Sequence, residues 1–238
     1  MNTIPFIISF ICCSWLVSAQ SEKDYLLGKF EPSSQDSFVK LEKRWSAGSA
    51  VNGYLRKEAY EAFVKMATAA RLQNVKLVII SATRNFDRQK TIWENKWNGK
   101  VTVGGVNLTT LTDPTHRARQ ILLYSSMPGT SRHHWGTDID LNALEESYFQ
   151  SSEGKKVYQW LQKNAATYGF CQPYTSKEQG RTGYEEEKWH WSYLPLSADL
   201  LKRYNAMIHP DDIQGFLGSE TAGKVEVIKN YVNRVACK

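Results

Sequence analysis

From Leu55 to Leu72 the apolar positions Leu55, Ala59, Ala62, Phe63, Met66, Ala69 and Ala70 recur at three- and four-residue spacing. That spacing predicts an amphipathic helix, with Asn74 at its C-terminal end. The run Lys76–Ala82 is continuously apolar and β-branched, which predicts a buried strand delivering Thr83, Arg84 and Asn85 at its end. Helical spacing returns at 87–97 (Gln89, Ile92, Trp93, Trp97), at 115–126, and at 155–168, where Gly169 closes the element. Two later stretches alternate instead. Thr137–Leu141 would put Asp138 and Asp140 on one face and Ile139 and Leu141 on the other; Trp189–Tyr193 would turn Trp189, Trp191 and Tyr193 inward and His190 and Ser192 away, with Pro195 ending the strand. Residues 99–112 and 172–186 read as loops, and 197–207 and 211–235 as peripheral helices. No internal repeat or linker interrupts the pattern. It predicts one α+β domain at 51–238, with 20–50 packed on it as an extended segment with one short helix.

Composition narrows this. With 238 residues, 42% hydrophobic and 23% charged, the chain can build one sizeable core. The net charge of +6 comes from scattered Lys and Arg without a dense run, so no nucleic-acid partner is expected. Residues 1–19 carry no charged side chain. Their apolar run Ile4–Val17 is too short to span a bilayer comfortably, and Val17-Ser18-Ala19 is a small-residue cleavage pattern. This predicts a signal peptide at 1–19, membrane contact only if that peptide stays uncleaved, and loss of Cys12 and Cys13 with it. Cys171 and Cys237 remain, either paired or as two separate thiols.

The chemistry gathers in Ser131-Arg-His-His-Trp-Gly-Thr-Asp-Ile-Asp140. A loop imidazole, a glycine turn at Gly136 and a strand carboxylate can converge on one ion. Downstream, Glu187-Lys-Trp-His190 adds an imidazole with a carboxylate three residues before it. Two His, one Asp and a spare Glu are the makings of a catalytic zinc site, with an open position and a base. A structural zinc site would be closed by four protein ligands, often Cys, and Cys171 and Cys237 lie outside both stretches. An odd spacing puts Glu187 and His190 on opposite faces of a straight strand, so Glu187 must sit in the entering loop or a bulge. Glu185 and Glu186 read as solvated, and His116 and His209 as surface residues.

Ser131, His133, Gly136 and Asp140 fall on a Ser-x-His-x-x-Gly-x-Ala-x-Asp signature, and Glu187, Trp189 and His190 on Glu-x-Trp-His. In these residues the chain resembles the VanY-type D-alanyl-D-alanine carboxypeptidases, zinc peptidases of bacterial cell walls. The resemblance implies a small antiparallel sheet carrying the site, flanked by helices, as in the hedgehog and D-Ala-D-Ala peptidase fold. It implies one zinc ion held by His133, Asp140 and His190, Glu187 as general base, and Arg84 with Gln89 as substrate-binding residues. Ser131 would bond substrate or a ligand. The substrate implied is a peptidoglycan stem peptide ending in D-alanine, handled by a monomer exported to the periplasm or cell envelope. The rivals are an endopeptidase on the same scaffold and a non-catalytic, zinc-containing wall-binding module. Three positions depart from the pattern: Asp138 stands where the family has Ala, and Thr83 and Asn85 replace Tyr and Ser beside the arginine. Asp138 either supports a ligand His or points past the metal, and His134 is either a polar participant or a structural neighbour.

Overall fold

A short helix over 20–26 (α1) carries Leu26 into the core, where Leu27 joins it. Two strands, Phe38–Lys40 (β1) and Tyr54–Arg56 (β2), then pair antiparallel. The computed structural model describes residues 20–237, so the expected signal peptide, with Cys12 and Cys13, lies outside the described residues.

Helix α2, Lys57–Leu72, buries Ala59, Tyr60, Phe63, Met66, Ala67 and Ala70 on one face, as the spacing predicts. It stops at Asn74, whose φ of 55° is tolerated by this residue type. Strand β3 is only Ile79–Ser81, shorter than the apolar run suggests. The Asn142 side chain takes the Val78 N–H and donates to the Lys76 carbonyl, so those groups bond to an amide instead of a strand ladder. Helix α3, Phe86–Trp97, is N-capped by Asn85, and α4, Pro114–Ile121, by Asp113. Strand β4 (Asp138–Leu141), helices α5 (Glu146–Gln150) and α6 (Ser152–Asn164), and strands β5 (Phe170–Cys171) and β6 (His190–Tyr193) follow. Pro195 ends β6 by opening α7, Leu194–Met207, in whose first turn a missing N–H costs nothing.

The main sheet is antiparallel in the order β3-β4-β6-β5. Its central register sets Asp138 opposite Ser192, Ile139 opposite Trp191 and Asp140 opposite His190. Directly opposed residues share a face, so both aspartates, His190 and Ser192 project together while Ile139 and Trp191 project the other way. On that far side Ile139, Leu141 and Trp191 join α2 and α6 in one core. A second core, from α1, α3, α4, α7 and the C-terminal tail, lies against Trp135, Tyr174 and Tyr184. The polar face of the sheet is held between these two cores.

The tail corrects the pattern-based expectation. Residues 211–235 are not a peripheral helix but short turns, including Ser219–Thr221 and a π turn at Ile228–Val232. Gly215 and Gly218 at φ 93° and 82°, and Glu226 at 49°, break the helix. The apolar side chains Ile213, Phe216, Val225, Val227 and Val232 instead fill the second core, as do Leu200, Leu201 and Tyr204 of α7. A disulfide between Cys171 and Cys237 fastens the tail to β5.

Candidate active site

The motif between α4 and β4 is a tight turn, Arg132–Trp135, closed by Gly136 at φ 73°. A side chain at 136 would be strained by that φ, and its Cβ would also lie 2.4 Å from the Phe38 ring. The turn delivers His133 to the face that carries Asp140 and His190. Ligand atoms of these three buried residues lie within 4.8 Å of one another. His133 Nε2 is 3.3 Å from Asp140 Oδ2, and His190 Nδ1 is 3.3 Å from Asp140 Oδ1.

These groups fit a cation. His133 Nδ1–H donates to the Ala82 carbonyl at 2.9 Å, which leaves the Nε2 lone pair facing Asp140. Both His133 Nε2 and Asp140 Oδ1 are buried without a hydrogen-bond partner, a costly condition that a metal ion would relieve. Burial, with the Arg84 charge behind it, pushes the His133 imidazole down and keeps it a neutral donor. Burial raises the Asp140 carboxyl, but the imidazole cluster beside it, in which His190 carries the charge, holds it well below the carboxylate range. Burial also opposes charge on His190, yet the hydrogen bond to Asp138 and the Asp140 and Glu187 carboxylates beside its ring hold it well above its ordinary value. The place therefore attracts positive charge.

Glu187 precedes β6 in the entering loop, as its spacing from His190 requires. Its N–H donates to Tyr174, its carbonyl accepts from His190 N–H, and Oε2 sits 3.3 Å from His190 Nδ1. Burial pushes its carboxyl up. Arg84 and Gln89 line the same small cavity, of about 30 Å³, with Tyr124, Ser125, Ser126, His133, Tyr174, Tyr184, Glu187 and His190. Arg84 Nε and Gln89 Oε1 are buried without partners, whereas Gln89 Nε2 donates to the Ser126 carbonyl. Ser131 is buried and its Oγ has no partner either, but it does not line the cavity.

Asp138 bonds His190 Nε2 at 2.8 Å rather than pointing past it. His134 Nδ1–H donates to the Arg84 carbonyl and Nε2 accepts from Gly129 N–H, so both nitrogens are committed away from the cavity. Burial lowers its pKa to about 3, so it is neutral. Sequence reasoning missed Arg132, fully buried against Asp138, and the walls Tyr174 and Tyr184, which lie in a stretch read as polar loop. For Arg132 the signal was available: a cation so close to Asp138 on a buried turn needs a carboxylate.

A small antiparallel sheet that gathers two imidazoles, an aspartate and a buried glutamate around one cavity defines a candidate metal-dependent hydrolase. The family model described as VanY, D-alanyl-D-alanine carboxypeptidase, matches residues 52–196, and the chain belongs to that family. A putative carboxypeptidase, YodJ of Bacillus subtilis, is 31% identical over 76% of this chain and 61% of its own length. A D-alanyl-D-alanine carboxypeptidase of Enterococcus faecalis is 29% identical over 55% of this chain and 44% of its own. The chain thus spans about half of the length of these curated relatives. Among solved structures, the LdcB LD-carboxypeptidase superimposes with a TM-score of 0.53 at 25% identity, covering 83% of this chain and 80% of that one. A mutant of the vancomycin-resistance D,D-pentapeptidase VanY, solved with Zn(II), gives 0.51 at 24% identity, covering 80% and 92%.

Proposed function

We propose that the protein is a zinc-dependent carboxypeptidase that removes the terminal D-alanine from peptidoglycan stem peptides, exported to the bacterial cell envelope. The observation that carries this is the cluster of His133, Asp140 and His190, with unpartnered donor atoms, beside a buried Glu187 and a cavity holding Arg84. His133 would hold the metal through Nε2, with Asp140 and His190 completing the protein ligands. Zinc at this place supplies Lewis acidity toward the scissile carbonyl and lowers the pKa of water. Glu187 takes the proton from the attacking water and returns it to the leaving amine; a carboxylate raised by burial is suited to both steps. The Arg84 guanidinium, with an unpaired N–H at the cavity, pairs with the substrate's terminal carboxylate and sets the bond to be cut. The uncharged apolar stretch at 1–19 supports export.

The test is kinetic. Defined muropeptides with a free or an amidated C-terminus are digested and the products identified by mass. A charge-assisted contact contributes about 1.5–3 kcal/mol, so amidation should lower kcat/KM on the order of 10–150-fold. Arg84→Lys should lose much of that discrimination. Equal cleavage of both peptides by the wild type would replace this reading with an endopeptidase. No cleavage of either by zinc-loaded protein would favour a wall-binding module.

A further inference from the structure

One buried charge pair beside the site has no part in the chemistry above. The Asp138 carboxylate, fully buried on β4, accepts four hydrogen bonds. Oδ1 takes Thr137 Oγ1 at 2.7 Å and Ser192 Oγ at 2.8 Å; Oδ2 takes Arg132 Nε at 2.9 Å and His190 Nε2 at 2.8 Å. Arg132 Nη2 also donates to Ser192 Oγ at 2.6 Å, closing a ring of three side chains. Strand register explains the ring: Ser192 is directly opposite Asp138, and Arg132 enters from the turn six residues earlier.

With a guanidinium against it and every lone-pair direction used, this carboxylate can only accept. Its contact with His190 therefore requires the proton on Nε2. When a metal ion displaces the Nδ1 proton, the imidazole keeps its Nε2 proton and presents its lone pair at Nδ1, the atom that faces Asp140 and Glu187. The other side of the ring is packed edge-on by Tyr174 at 4.7 Å, so tautomer and orientation are fixed independently. Asp138 occupies a position where the signature has Ala, so the motif does not demand a carboxylate there. A lone carboxylate would add an uncompensated negative charge to a site that already holds Asp140 and Glu187. Arg132 cancels it, so the pair orients His190 without changing the net charge beside the metal. As a stabilising device alone, a buried ion pair would gain little over apolar residues of the same size.

We propose that Arg132 and Asp138 act as one positioning unit that holds His190 ready to bind metal through Nδ1. This rests on the zinc reading above. The experiment measures zinc dissociation constants by chelator competition, and melting temperatures of the metal-free proteins, for wild type, Asp138→Asn, Asp138→Ala and Arg132→Met/Asp138→Ala. Wild type should bind zinc stoichiometrically. Both Asp138 variants should bind 10–100-fold more weakly, the range seen when a partner of a ligating His is removed. The double variant, with no buried charge left unpaired, should melt above Asp138→Ala yet keep its weakened zinc binding. That split separates positioning from folding. Folded variants that bind zinc as tightly as wild type overturn the positioning role and leave the zinc reading intact. A wild type that binds no zinc overturns the zinc reading itself.

Discussion

The role proposed for Glu187 depends on its lying just outside a strand. Three residues before His190 in a turn, it can face the same cavity; in a straight strand it could not. Glu187→Gln keeps the volume and removes the proton acceptor. Zinc content should stay near stoichiometric by elemental analysis while turnover falls about 10²–10⁴-fold. Asp140→Ala should instead empty the site, because Asp140 approaches both imidazoles at 3.3 Å. Elemental analysis of the two variants side by side separates base from ligand. His134 acts on Arg84 from behind: it bonds the Arg84 carbonyl, while the Arg84 N–H donates to the His133 carbonyl. Arg84 is thereby locked to the motif by its own backbone. His134→Leu should leave two buried polar groups unpaired at about 1–3 kcal/mol each, lowering the melting temperature. KM should rise more than kcat falls, with zinc retained; steady-state kinetics on a free-acid peptide checks this.

Elements differed in how far their pattern exposed them. β4 and β6 were legible because one side is fully apolar and the other is a polar site, so period-two alternation survives in Thr137–Leu141 and Trp189–Tyr193. α2 and α6 were legible for the matching reason, an apolar stripe against one core. The tail was not. Its residues read as a peripheral helix, but Phe216, Val225 and Val232 share their core with α7 and with residues of α3 and α4, far away in sequence. Cys171 and Cys237 could not be paired from sequence, since only the fold brings their Cα atoms to 6.3 Å. Closing a 66-residue separation should contribute about 4 kcal/mol in the chain-entropy model. The tail also carries Tyr231, stacked edge-on at 5.2 Å against Tyr184, a wall of the cavity. Replacing both cysteines by serine should lower the unfolding free energy by that amount, as read by guanidinium titration with midpoint and m-value both fitted.

At the scale of the molecule, the candidate ligands that motif spacing picked out converge, while the walls around them do not announce themselves. Tyr174, Tyr184, Ser125 and Ser126 come from loops whose positions depend on the packing of both cores. One feature of the architecture governs how such a site behaves in time. Asp140 and His190 sit opposite each other on the two central strands, and every residue of Asp138–Leu141 is buried. Fraying at the edge strands leaves that pair intact, so its amide protons should exchange with solvent only through unfolding of the whole domain. In deuterated buffer the slowest amides of β4 should report the global stability. Zinc binding to the folded chain alone should slow all of them by one common factor, 1 + [Zn]/Kd. A factor that varied along the strand would mean that the ligand pair opens locally, and that the ion can leave without the fold coming apart.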